Sequence, residues 1–161
     1  MTFNTPDLCD ARGDEVQVAK PVFRDYGGVR RFAGEVETLR VLEDNALVRS
    51  TLESEGRGRV LVVDGGGSLR TALVGGKLAT LAAENGWTGI VVYGAVRDVA
   101  ALAAAGVGIK ALAACPRKSA KAGTGERGVT LAFAGVTFRP GGFLWSDEDG
   151  LLVADRPPGS P

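Results

Sequence analysis

The amino-acid sequence predicts an α/β domain of three layers: a central sheet with helices on one side and further strands on the other. Two observations carry this. Between Arg59 and Cys115, short apolar runs alternate with helix-spaced segments in the order β-α-β-α-β. From Val129 to Asp155 the apolar period falls to two, with turn residues at intervals, which is the pattern of paired antiparallel strands. A chain of 161 residues is long enough to bury a full core. Residues 1–155 are therefore expected to form one domain, with RPPGSP, 156–161, as a frayed tail.

The elements follow in order. TPDLCD suggests a short N-terminal helix capped by Thr5, with Pro6 at its first position. RFAGEVETLRVL, from Arg31, is rich in β-formers and reads as a strand or a bent pair of strands. Asn45 to Glu53 carries Ala46, Leu47, Val48 and Leu52 at helical spacing. RVLVVD, Arg59 to Asp64, is a continuous apolar run and so a buried strand, ending in Gly65 to Ser68. GGKLATLAAENGW puts Leu78, Leu81 and Ala82 on one helical face, with Gly86 just past its end. GIVVYGAVRD, Gly89 to Asp98, is the next strand. Val99 to Gly106 reads as a short helix with Val99, Leu102 and Ala103 inward, and IKALAACP as a strand stopped by Pro116. Pro116 to Gly128 is a basic, glycine-rich loop. Three or four antiparallel strands then turn at Gly135, Pro140-Gly141 and Asp149-Gly150.

Composition narrows the chemistry. Nineteen basic residues balance nineteen acidic ones, so no global field draws the chain to nucleic acid or to an anionic membrane. No apolar run approaches the roughly 20 residues that cross a bilayer. The N-terminus lacks the basic and apolar regions of a secretion signal, so a cytoplasmic location is expected. Cys9 and Cys115 are too few and too distant in sequence for a disulfide framework or a CxxC site. There is no histidine. That excludes a Ser-His-Asp or Cys-His mechanism and any histidine-ligated metal within the chain. Chemistry must rest on carboxylates, arginine, lysine, backbone amides or a hard, oxygen-bound metal ion.

The glycine-rich stretches do not match the nucleotide-binding motifs. In DGGGSLR a dinucleotide fingerprint would need glycine where Arg70 stands, and Gly76-Lys77 is followed by Leu78 rather than Ser or Thr, so the phosphate loop fails too. A methyltransferase-like reading of Asp64 to Gly67 lacks an acidic residue at the end of the following strand, where Tyr93 and Gly94 stand. Gly65 to Gly67 is either a tight turn or a close approach to a ligand. Gly75-Gly76-Lys77-Leu78 opens a helix, where unpaired N–H groups and the dipole favour an anion. Asp147, Glu148 and Asp149 lack calcium-loop spacing, and Asp149-Gly150 reads as a hairpin turn. Arg117, Lys118 and Lys121 are either a solvated mobile stretch or contacts for an anion, and the part of Arg70 stays open.

Taken together, Asp64 to Asp98 is more specific than its parts. With Tyr26-Gly27-Gly28, EDNALV from Glu43, PRKSAKAGTGE from Pro116 and WSDEDGLLV from Trp145, it closely resembles the family of the regulator of ribonuclease E activity A. That RraA-like family is similar in turn to class II aldolases acting on 4-hydroxy-4-methyl-2-oxoglutarate. Some members were formerly labelled demethylmenaquinone methyltransferases, which the residues here do not support. The resemblance implies a swivelling β/β/α fold and a homotrimer with sites at subunit interfaces. It implies that the loop Gly75, Gly76, Lys77, Leu78 binds substrate through backbone amides, that Arg97 binds substrate, and that Asp98 holds a divalent metal, Mg²⁺ or Mn²⁺. The activity it implies is metal-dependent cleavage of a small 2-keto acid to pyruvate, with oxaloacetate decarboxylation through the same pyruvate enolate. Gly76 and Ala101 stand where relatives carry acidic residues, so weak aldolase activity is expected, with decarboxylation the more robust. The other function that the resemblance implies is a non-catalytic one, masking a ribonuclease or helicase of the RNA degradation machinery.

Overall fold

A computed structural model describes residues 2–160. In chain order the elements are α1 (Thr5–Arg12), β1 (Gln17–Val18), β2 (Arg24–Asp25), β3 (Phe32–Arg40), α2 (Ala46–Leu52), β4 (Val60–Asp64), β5 (Ala72–Val74), α3 (Gly76–Glu84), β6 (Gly89–Val96), α4 (Val99–Ala104), β7 (Gly108–Ala114), β8 (Glu126–Arg127), β9 (Leu131–Phe133), β10 (Val136–Phe138), β11 (Phe143–Asp147) and β12 (Gly150–Ala154). Ten strands make one mixed sheet in the order β1-β12-β11-β3-β4-β6-β7-β2, with β5 added to β6 and β8 to β3; β9 and β10 form a separate hairpin. The β3-β4-β6-β7 centre is parallel, and its flanks are antiparallel.

The expected three layers are present. β4 has apolar residues facing both ways, as a buried parallel strand must. Its Leu61 and Val63 meet Val48 and Leu52 of α2, Leu78, Ala79 and Ala82 of α3, and Leu102 of α4. Its Val60 and Val62 pack on the opposite side against Phe133, Phe138, Leu144, Leu151 and Val153. A third, smaller cluster seats α1 on Trp145 and Leu152, the outer face of the β11-β12 hairpin. Phe32 at the start of β3 shows why two strands begin with glycine. Gly89 and Gly108 are register partners, and a Cβ on either would lie 2.3 or 2.1 Å from the Phe32 ring.

The curl of the sheet is closed by a buried ion pair. Lys110 of β7, 4 % exposed, donates at 2.9 Å to Asp25 Oδ1 of β2 and at 2.9 Å to the Asp147 carbonyl at the end of β11. A lysine buried this deeply needs such partners.

Several expectations are corrected. The cap of α1 is Asn4, whose Oδ1 accepts from Asp7 N–H at 2.9 Å, so Thr5 is already helical and Pro6 is one place further in. Thr5 is buried instead, donating from N–H and Oγ1 to the two Asp147 oxygens, each at 2.7 Å. In α4 only Leu102 faces inward; Val99 and Ala103 are exposed, because six residues preceded by a left-handed Asp98 (φ 60°) make too little helix to present a wide face. β1, β2 and β5 were not expected, nor was β8, which pairs with β3 inside the stretch 116–128 read as a loop. Of the two readings of the stretch from Arg31, the single strand is the one found, as β3, Phe32–Arg40.

Candidate functional site

The carboxyl ends of the parallel strands β5 and β6 meet the start of α3, the usual place for a ligand in such sheets. β6 ends with Val96, and its continuation Arg97 donates its backbone N–H to the Val74 carbonyl at 2.9 Å. That bond lays the Arg97-Asp98 pair across Gly75. A Cβ on Gly75 would be 2.8 Å from Asp98 Oδ2 and 3.3 Å from Arg97 Cγ, so only glycine fits. Asp98 takes a left-handed backbone conformation, which aspartate tolerates better than most residues. Its carboxylate does not cap α4, whose start it marks; it turns to α3 and accepts from Gly76 N–H at 2.9 Å. The Arg97 guanidinium leans on the Pro116 carbonyl (Nη1 to O, 3.4 Å).

These residues border a cavity of about 340 Å³, also lined by Asn45, Arg49, Lys118, Ser119 and Lys121. Its lining thus includes the sequence-proposed Gly75, Lys77, Leu78, Arg97 and Asp98 and both of the open lysines, Lys118 and Lys121. Gly76 is turned away from this cavity into an adjoining open groove, with Ala101, Thr80 and Glu84. A Cβ on Gly76 would touch that of Ala101 at 3.1 Å. The two positions expected to be acidic in relatives are therefore neighbours, and both are bare. Of the helix-opening amides, that of Gly76 is occupied by Asp98. Those of Lys77 and Leu78, in the first turn, have no intrahelical acceptor and remain for a ligand.

Gly65 to Gly67 is a turn. Asp64 Oδ1 accepts from Gly66 N–H at 2.8 Å, the N–H groups of Gly65 and Gly67 both reach the Tyr93 carbonyl, and Gly66 and Gly67 have φ of 68° and 74°. Arg70 pairs with Glu43 at 2.6 Å, and Glu43 also accepts from Ser68, so its carboxyl is held below the usual range, first by Ser68 and then by Arg70. Asp149-Gly150 forms the β11-β12 hairpin as expected.

The backbone of the loop after β7 is hydrogen-bonded to the rest of the fold at several points, while Arg117, Lys118 and Lys121 are exposed. Ser119, buried, donates to the Ala72 carbonyl at 2.7 Å and shares a bond with Thr71. Asp44, 2 % exposed, accepts from the N–H groups of Ala122 (2.8 Å) and Gly123 (3.2 Å), while Ala120 bonds both ways with Glu43 and Asn45. Burial alone would raise the Asp44 pKa; the backbone donors from Ala46, Ala122, Gly123 and Thr124 outweigh it, and the net direction is down. Asp44, Ser119 and Arg49 went unrecognised in the sequence, although EDNALV and PRKSAKAGTGE contain two of them.

Among the described residues no group of three or more His, Cys, Asp or Glu side chains converges to hold a metal ion. Among the described residues Asp98 is the one carboxylate lining the cavity, with Oδ2 taken by Gly76 and no protein donor on Oδ1. A single exposed carboxylate suits a hard ion that keeps most of its waters and is completed by substrate oxygens, as Mg²⁺ does. It does not suit a metal that needs a full protein cage.

The chain matches the RraA-like family, Aldolase/RraA, over residues 5–153. It is 55% identical over 154 residues, 96% of each chain, to a protein of Alkalilimnicola ehrlichii provisionally named 4-hydroxy-4-methyl-2-oxoglutarate aldolase. Among solved structures, the RNA-processing inhibitor RraA from Thermus thermophilis is 56% identical with a TM-score of 0.95, covering 99% of this chain and 97% of that one. A Geobacillus kaustophilus protein described as a 2-dimethylmenaquinone methyltransferase is 46% identical, also with a TM-score of 0.95 and 97% coverage of both chains. That description does not carry over, since the strand end that should hold a ribose has no acidic residue.

Proposed function

The chain belongs to the RraA-like family, and from that premise we propose that it is a divalent-metal-dependent lyase releasing pyruvate from a small 2-keto acid. The substrates are 4-hydroxy-4-methyl-2-oxoglutarate and, by decarboxylation, oxaloacetate. The observation that carries this reading is the fold of Arg97 and Asp98 over Gly75 at one wall of the cavity. In this reading the Lys77 and Leu78 amides and the Arg97 guanidinium hold the substrate's keto-acid end. Asp98 holds Mg²⁺ or Mn²⁺ through its open oxygen. When bound, the ion polarises the keto oxygen and offsets charge that develops on it. Arg97 is placed to stabilise the same charge as the bond to the leaving carbon breaks, and its contact with the Pro116 carbonyl fixes its direction beforehand. The bare Gly76 and Ala101 leave proton transfer to water, in keeping with slower aldol cleavage than decarboxylation.

The test is pyruvate release from both substrates, with Mg²⁺ or Mn²⁺ and with chelator, by wild type and Asp98→Ala. Release that needs the metal and disappears in the variant supports the lyase. Release no faster than metal alone sinks it.

A second reading draws on the 56% identity to a protein described as an RNA-processing inhibitor. Here the chain binds a ribonuclease or an associated helicase and need not turn anything over. Asp98→Ala that still captures the nuclease, together with no turnover by wild type, would favour it.

A further inference from the structure

The cavity is rich in hydrogen-bond donors and poor in acceptors. Lysine and arginine side chains and the open amides of α3 line it, and only Asn45, Asp98 and Ser119 bring a side-chain acceptor. Ser119 Oγ is already engaged with Thr71 Oγ1 and the Ala72 carbonyl. Asp98 keeps its free oxygen for the ion in the lyase reading. Asn45 Oδ1 has no donor among the described residues, so it is the one neutral acceptor left open.

Asn45 stands at the N-cap of α2, where asparagine normally turns its oxygen onto the first amides of the helix. Here it does not. Asp44 Oδ1 takes the Ala46 N–H instead, at 3.1 Å. The Asn45 side chain turns to β5 and donates from Nδ2 to the Leu73 carbonyl at 3.2 Å. A carbonyl accepts only from the nitrogen of a carboxamide, so this bond decides which end of Asn45 stays free to accept. The backbone holds the residue too, since Asn45 N–H donates to the Ala120 carbonyl at 3.0 Å. The next carbonyl along β5, that of Val74, accepts from Arg97 N–H. Consecutive residues of one short strand therefore hold Asn45 and Arg97, and both line the same cavity.

We propose that Asn45 accepts a hydrogen bond from the C4 hydroxyl of an aldol substrate and is the residue that separates aldol cleavage from decarboxylation. The inference rests on the lyase reading for the keto-acid end. In aldol cleavage the C4 hydroxyl loses its proton to water, and the O–H electron pair becomes the new carbonyl. The C3–C4 pair passes into the pyruvate enolate, which then takes a proton from water at C3. An amide oxygen is too weak a base to remove the hydroxyl proton. Its part is to hold the hydroxyl in one orientation while the C3–C4 bond breaks. Oxaloacetate carries a carboxylate at C4 and no hydroxyl, so its loss of CO₂ reaches the same enolate without Asn45.

The experiment measures pyruvate release by Asn45→Ala from 4-hydroxy-4-methyl-2-oxoglutarate and from oxaloacetate with Mg²⁺, each corrected for the metal-only rate. For the hydroxy acid, kcat/KM is expected to fall about tenfold or more, as for one lost hydrogen bond, while decarboxylation stays within about twofold. A purely structural role, tying α2 to β5, would lower both rates alike. Parallel loss, or no loss, overturns the inference and leaves the lyase reading standing. A second measurement needs no variant. 2,4-Dihydroxyglutarate and 2-hydroxyglutarate lack the keto group, are not cleaved, and differ only in the C4 hydroxyl; they are compared as inhibitors of decarboxylation by wild type. The dihydroxy acid is expected to inhibit several-fold more strongly, and equal inhibition, or none by either, overturns the inference. Wild type that decarboxylates oxaloacetate but does not cleave the hydroxy acid overturns the inference alone. Wild type that does neither overturns the lyase reading with it.

Discussion

Gly75 has no room for even a methyl group, because its Cα lies beneath Asp98 Oδ2 and the Arg97 side chain. Gly75→Ala should therefore displace the carboxylate and the guanidinium together, while leaving the buried strands untouched. Pyruvate release is expected to fall at least tenfold with a melting temperature within a few degrees of wild type; loss of both together would instead make Gly75 a folding residue. Arg97→Ala removes the preplaced cation and leaves Asp98 in place. By analogy with a lost oxyanion donor, kcat should drop about 10²–10³-fold, or ~3–4 kcal/mol, in a coupled pyruvate assay. A change in KM alone would make Arg97 a binding group only. These residues were legible because they are adjacent in sequence and follow an obvious strand. Asp44 was not, since its partners Ala122 and Gly123 lie 78 and 79 residues along the chain and nothing local marks an aspartate as their acceptor. Ser119 was hidden in the same way, within a stretch whose composition suggested a mobile loop.

At the scale of elements, helices and long strands could be read because burial imposes a period on them. β1 and β2, of two residues each, and β5, of three, are too short to show one, and they exist only through their neighbours. The helix α1 is held from outside, by Asp147 accepting from Thr5 N–H and Oγ1. Burial raises the Asp147 pKa, but the bonds from Thr5, Asp149 and Gly150 prevail and the net shift is downward. A carboxyl lowered by folding stabilises the native state above its unfolded pKa, and that stability fades as pH falls through the lower folded value. The docking of α1 should accordingly weaken below about pH 4. Asp147→Asn is expected to cost about 1.5–3 kcal/mol near neutral pH, as for hydrogen bonds to a charged group. It should also flatten the acid limb of a melting-temperature profile; an acid limb unchanged in the variant would assign that limb to other carboxylates, Asp44 first.

The alternation of strand and helix made the three layers legible for the molecule as a whole. Its curl was not, because the closing contact joins Lys110 to Asp25 and to the Asp147 carbonyl, 85 and 37 residues apart. A lysine inside a run of apolar strand residues, IKALAA, is the only trace in the sequence. The expected homotrimer is an assembly property with a direct measurement. Light scattering at micromolar concentration should return three times the mass of one chain, and a monomer would remove the interface sites that the family resemblance implies. One further consequence concerns how the protein is made. Thr5 is bonded to a residue 142 positions later. At about 5–20 residues added per second, α1 is synthesised roughly 7–30 s before its anchor. For that interval α1 stays undocked, so a helix translated well before its anchor is among the last elements to find its place.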